Sequence, residues 1–151
     1  MTLLRVQDLS VSFTTERGRA GVLDGVCFEL AQGETLGLVG ESGCGKSVTS
    51  LAITRLLPKP SGQIDQGQVW LDGVDLLTVP ASEMQKIRGP RIGMVFQDAM
   101  SALNPVKRLH VQMDESIRLH APHLTRAQAR DRALELLTDV GIPSPQMRLN
   151  D

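Results

Sequence analysis

Apolar and polar residues roughly alternate along LLRVQDLSVSF (3–13), the two-residue period of a strand with one buried face. ERGRAG (16–21) reads as a turn, and VLDGVCFEL (22–30) as a second strand running back beside the first. Cys27 on that second strand is expected to be buried. After AQGE, the run TLGLV (35–39) is apolar at nearly every position, as in a strand covered on both faces. The period then changes. From Lys46 to Leu57 the residues Val48, Leu51, Ala52 and Leu56 recur at helical spacing, and PKPSG ends the helix.

GQVWLDG (67–73) predicts a short, hairpin-like strand, ASEMQKIRG (81–89) a short helix, and RIGMVF (91–96) another strand buried on both faces. A helix is expected from about Val106 to Leu119. The last helix carries the strongest signals: Thr125 and Gln128 have capping-box spacing, and Ala129, Ala133, Leu136, Leu137 and Val140 share one face. Gly141 and Pro143 end it. Strands come first in a run, then alternate with helices. That order predicts an α/β fold, with a parallel core preceded by an antiparallel β layer.

Composition narrows the setting. With 151 residues, 41% apolar and 22% charged, the chain has the mix of one ordinary globular domain. A net charge of -1 supplies no overall basic field for nucleic acid. Two cysteines cannot build a disulfide framework, and no secretory leader is recognisable, so the expected home is the cytoplasm. No apolar stretch approaches the ~20 residues of a membrane span; a membrane role would be peripheral. Phe13, Phe28, Phe96 and Trp70 are the only aromatic residues, which leaves few candidates for stacking on a base.

The candidate chemistry lies in GESGCGKS (40–47), between the apolar run 35–39 and the helix that follows. Gly40, Gly45, Lys46 and Ser47 occupy the fixed positions of a phosphate-binding loop. Backbone N–H groups from Gly40, Glu41, Ser42, Gly43, Cys44 and Gly45 through Val48 are expected to converge on phosphates, helped by the partial positive charge of the helix start. Side chains at the glycine positions would obstruct that approach. Lys46 is expected to reach the β- and γ-phosphates and the Ser47 hydroxyl to ligate Mg²⁺. The ligand so predicted is Mg-ATP or a related triphosphate. Cys44, beside Lys46 at a helix start, sits where a thiol pKa is lowered.

Other catalytic parts are sparser. Asp72 ends VWLD, but the glycines around it read as a hairpin edge. Gln97 and Asp98 follow a better strand, where a glutamine could reach Mg²⁺ or an attacking water. His110, His120 and His123 form no metal-ligand set and read as solvated. Lys86, Arg88 and Arg91 read as a basic surface cluster.

LGLVGESGCGKSVTSLAITRLLP, RIGMVFQDAMSALNPV and ARDRALELLTDVGIPSP together resemble the ATP-binding subunit of ABC transporters. The likeness is greatest to the branch importing dipeptides, oligopeptides, nickel or related solutes. The resemblance implies a Walker A loop at Gly40–Ser47, a Q-loop glutamine at Gln97 that contacts Mg²⁺, and an adenine-stacking aromatic at Phe13. Ala99 stands where the branch often carries proline. It also implies transmembrane permease subunits as partners and a solute-binding protein indirectly. A second ATP-binding subunit, in a homo- or heterodimer, completes the set on the cytoplasmic face of the membrane. On this reading 1–105 is a nucleotide-binding core and 106–151 the start of a helical subdomain. The family's signature, Walker B aspartate and switch histidine would follow QMRLND, so the expectation is the N-terminal part of a longer subunit, not catalytically complete. The competing readings are a small P-loop kinase and a non-catalytic nucleotide-binding fragment.

Overall fold

The computed structural model describes residues 2–97 and 102–150; Asp98 and Ala99 lie outside the described residues. The chain forms two compact units, Met1–Arg88 and Gly89–Asp151.

The first unit is built on an antiparallel sheet of four strands, β1 (Thr2–Thr15), β2 (Gly18–Ala31), β3 (Gly62–Leu71) and β4 (Val74–Asp75), in the order β2-β1-β3-β4. Strand β1 pairs on both sides, and its Val6, Leu9 and Val11 are buried with Leu23, Val69 and Leu71. The simple alternation read from 3–13 is broken inside β1. The pairing shifts register between Val6 and Leu9 against β2, and between Gln7 and Ser10 against β3. Asp8 in this bulge takes φ 49°, and Gly67 opposite takes φ 112°. A Cβ on Gly67 would lie 2.6 Å from Leu9 Cα and 2.8 Å from Asp8 O. Only glycine fits both that conformation and that gap. The bulge also turns Ser10 and Ser12 inward, where their hydroxyls are satisfied. Ser10 Oγ accepts from Gly25 N at 2.9 Å, and Ser12 Oγ donates to Asp65 Oδ1 at 3.0 Å while accepting from Arg19 Nε at 2.7 Å.

Asp72 (φ 49°) and Gly73 (φ 79°) form the two-residue turn between β3 and β4, with the paired left-handed conformations of a type I′ hairpin. The hairpin expected around Asp72 is therefore present. Cys27 is a correction: on β2 it is exposed, and its sulfur accepts from Asp8 N at 3.1 Å. It stands on the solvent side of an edge strand.

Helix α1 (Lys46–Ile53) is four residues shorter than the apolar spacing suggested. Arg55 adopts φ 53° and stops it. Leu56 N donates to Leu51 O at 2.7 Å and Arg55 N to Ala52 O at 3.0 Å, the bond pair of a Schellman cap. Glycine normally holds that left-handed position. Arg88 closes the same end, donating from Nε to Thr54 O at 2.7 Å and from Nη2 to Arg55 O at 2.8 Å. Expected as part of a surface cluster, Arg88 is thus a cation on the carbonyls of a helix C-terminus. Helix α2 (Ala81–Ile87) buries Met84 and Ile87.

The two strands expected to be buried on both faces do not form. Residues 35–39 have no regular structure, and Val39 is 97% exposed; 91–96 contains only an isolated bridge at Ile92, and Val95 is 96% exposed. A doubly buried strand exists only where neighbours complete both hydrogen-bond ladders and cover both faces. Among the described residues no strand pairs with either segment. The α/β class stands, with an antiparallel sheet and helices, while the parallel core is absent from the described residues.

The second unit contains α3 (Leu109–His120), α4 (Arg126–Asp139) and α5 (Pro145–Arg148). Ala133, Leu137 and Leu149 form its core, with Leu109, Met113 and Ile117 packed against them. Thr125 and Gln128 make the predicted capping box. Gly141 (φ 76°) closes the other end, with Ile142 N to Leu137 O and Gly141 N to Thr138 O both at 2.9 Å. Val140 departs from its expected apolar face and is 71% exposed; it is the cap residue, beyond the last helical turn.

Gly67→Ala is expected to destabilise the sheet by roughly 1–3 kcal/mol or more, because it combines backbone strain with a backbone clash. Urea unfolding of the two proteins checks this. Thr125→Ala is expected to cost about 1 kcal/mol, read as faster amide exchange in α4.

Candidate functional site

Residues 40–45 fold as the turn that leads into α1, whose first two residues are Lys46 and Ser47. Gly43 takes φ 85° and Gly45 φ 96°, so left-handed residues alternate with others, the backbone pattern that makes an anion-binding concavity. Gly45 is the N-cap of α1 and is buried. A Cβ there would meet Leu23 Cδ2 at 2.6 Å. Leu23 on β2 is a positioning residue that sequence patterning registered only as part of a strand; nothing in its spacing marks the contact. Gly40 is constrained from the other side, since a Cβ would lie 2.6 Å from Cys44 Sγ.

Lys46 folds back over the loop. Its Nζ donates to Gly40 O and Glu41 O, both at 2.7 Å, and to Cys44 Sγ at 3.2 Å. The ammonium therefore lies among the loop carbonyls. Helix α1 has no side-chain cap and no acidic residue in its first turn, so the N–H groups at its start are left without the usual partner. Ser47 and the Glu41–Cys44 segment are exposed, and Val48 is half-buried. The site combines a cation, open helix-start donors and glycine backbone, which suits it to an anion with several oxygens.

The other predicted residues are placed separately. Phe13 is half-buried on β1, its register partners are Ala20 and Gly62, and its ring lies against Gly62, where a Cβ would be 3.1 Å from Phe13 Cε1. Asp72 is in the β3–β4 turn. Gln97 is exposed and belongs to the second unit. His110 is half-buried at the start of α3, while His120 and His123 are exposed. Among the described residues no three His, Cys, Asp or Glu side chains are grouped to hold a metal, and no helix is long and apolar enough to cross a membrane.

The Lys46 hydrogen bond, reinforced by the same residue's charge, lowers the pKa of the exposed Cys44 thiol from its ordinary value. The direction has a clear test. Iodoacetamide should label Cys44 through an inflection below that of a simple thiol, and Lys46→Ala should move the inflection to higher pH. Mass spectrometry of the Cys44 peptide across pH separates it from Cys27.

Residues 23–150 match the family model described as ABC transporter. The chain is 47% identical, over 98% of its length, to an oligopeptide transport ATP-binding protein of Bacillus subtilis (strain 168), and covers 41% of that protein. It is 45% identical over 97% of its length to a dipeptide transport ATP-binding protein of the same organism, covering 44%. A probable peptide ABC transporter ATP-binding protein of Sinorhizobium fredii is 45% identical over 99% of the chain, again with 44% of the relative covered. The chain thus spans less than half the length of these curated relatives. The family match takes in the phosphate-type loop, the helix it opens and both downstream stretches that first suggested the likeness: this chain belongs to the ABC transporter family.

Proposed function

We propose that this chain binds Mg-ATP through Gly40–Ser47 and serves, within a longer protein, as the energy-coupling part of a peptide importer. The observation that carries the reading is the start of α1. Gly45 opens the helix with no side-chain cap, and Lys46 holds its ammonium 2.7 Å from two loop carbonyls. The residues fit the group they would hold. Gly43 has nothing within 4 Å of a hypothetical Cβ, so backbone can be approached closely on that side. Lys46 would exchange the Gly40 and Glu41 carbonyls for phosphate oxygens. The exposed Ser47 hydroxyl offers a hard oxygen to Mg²⁺, whose remaining ligands would be phosphate oxygens and water. Bound ATP supplies the free energy of its terminal phosphoanhydride.

Within this reading Lys46 stabilises charge on the transferred phosphoryl group and Gln97 contacts Mg²⁺ or orients water; both roles are assigned by family likeness. Phe13 is the proposed contact for the adenine. The division into a nucleotide-binding core over 1–105 and the start of a helical subdomain over 106–151 is part of the same proposal. Hydrolysis belongs to the whole protein, whose partners would be permease subunits, a second ATP-binding subunit and, indirectly, a solute-binding protein. Its place would be the cytoplasmic face of the membrane. The similar proteins are named for oligopeptide, peptide and dipeptide transport, which favours peptides over nickel as the solute class.

Calorimetry with Mg-ATP tests the binding step. A charge-assisted contact contributes roughly 1.5–3 kcal/mol, so Lys46→Ala should weaken ATP at least about tenfold. Ser47→Ala should remove most of the Mg²⁺ dependence. Unchanged affinity in a well-folded Lys46→Ala protein would overturn the assignment.

A further inference from the structure

A cavity of about 400 Å³ with a mixed polar and apolar lining lies in the first unit between the end of α1, the β3 strand and α2. Arg55, Lys59 and Arg88 share its lining with the amides Gln63 and Gln85, and among the described residues no acidic side chain lines it. Glu83, on the same helix, is paired instead with Lys86 at 2.8 Å. Three cations around one concavity repel one another unless an anion or solvent compensates them. Two of the three are fixed by backbone carbonyls. Arg55 uses only Nη1, donating to Leu76 O at 3.1 Å and Val79 O at 2.6 Å, and Arg88 uses Nε and Nη2 on the end of α1. That leaves Arg55 Nε and Nη2, Arg88 Nη1 and the whole Lys59 ammonium with no hydrogen-bond acceptor among the described residues.

Arg55 is also strained. It holds φ 53° at a helix-stop position where glycine would fit without cost. A non-glycine residue there is retained against backbone energy, and the side chain gained by it stands on this cavity. The apolar part of the lining is the half-buried Ile64, with the buried Leu57 and Met84 behind it, which suits it to a small hydrocarbon group.

We propose that this cavity is a binding site for a phosphate monoester carrying an apolar organic group. The dianion matches the cations better than a single carboxylate, and guanidinium groups bind phosphate oxygens by two parallel N–H bonds. The site is separate from Gly40–Ser47, and its existence does not depend on nucleotide binding there.

The test uses the 151-residue chain with Lys46→Ala as background, which weakens phosphate binding at the glycine-rich loop. Inorganic phosphate, phenyl phosphate and vesicles containing phosphatidic acid are the three probes. Phenyl phosphate should bind more tightly than inorganic phosphate by calorimetry, and Lys59→Glu should weaken it about tenfold or more. Lys59 is exposed and makes no hydrogen bond or ion pair among the described residues, so that variant is expected to fold, which thermal melting checks. Arg55→Gly suits the left-handed position and should abolish binding, with thermal melting confirming a folded protein. Retention on the vesicles, lost in Lys59→Glu, identifies a lipid as the source of the monoester; phenyl phosphate binding without retention identifies a free metabolite. Binding of none of the three probes, or binding that both variants leave unchanged, overturns the proposal.

Discussion

Gly45 has no room for a side chain, and the first unit is organised around that fact. Leu23 of β2 fills the space a Cβ would need, which sets the start of α1 directly on the antiparallel sheet. The same residue takes φ 96°, so one position satisfies a packing demand and a backbone demand that any other residue would violate. Once Gly45 is fixed, the loop before it has a defined end. Lys46 then reaches back to Gly40 O and Glu41 O, tying the two ends of the loop together through one ammonium.

The far end of α1 is held by charge. Arg88 donates to the last carbonyls of the helix, while Arg55, in the left-handed stop position, reaches to Leu76 and Val79. These bonds connect the helix end to α2 and to the segment after β4. The Arg88 guanidinium acts where carbonyl oxygens lack intrahelical donors, and Arg55 anchors the helix stop to the segment after β4. Helix α1 is therefore clamped by glycine packing at its start and by arginine at its end. A short helix of eight residues needs such support, because isolated helices of that length are unstable in water.

Hydrogen bonding also shapes the irregular strand β1. The bulge at Asp8 sends Ser10 and Ser12 inward, and each finds partners on neighbouring strands. Without those partners a buried hydroxyl would be a liability. Polar residues at positions 10 and 12 thus report a register shift that apolar patterning alone treats as noise.

Much of this was legible in the sequence. The first two strands, the Asp72–Gly73 hairpin, the capping box at Thr125 and Gln128 and the glycine-rich turn into α1 all rest on local chemistry, the affinity of particular residue types for particular backbone conformations. Local rules do not determine what lies beside a segment in space. Residues 35–39 and 91–96 have the composition of buried strands, yet a strand needs a neighbour to complete its ladder, and neither has one among the described residues. Cys27 is exposed for a related reason, because its edge strand leaves one side to solvent. Arg88 could not be told from a surface cation until the fold carried α1's end to it. Sequence by itself determined which backbone conformations these residues prefer; tertiary structure decided burial, strand pairing and capping by distant side chains, because those energies belong to pairs of groups that the chain brings together only on folding.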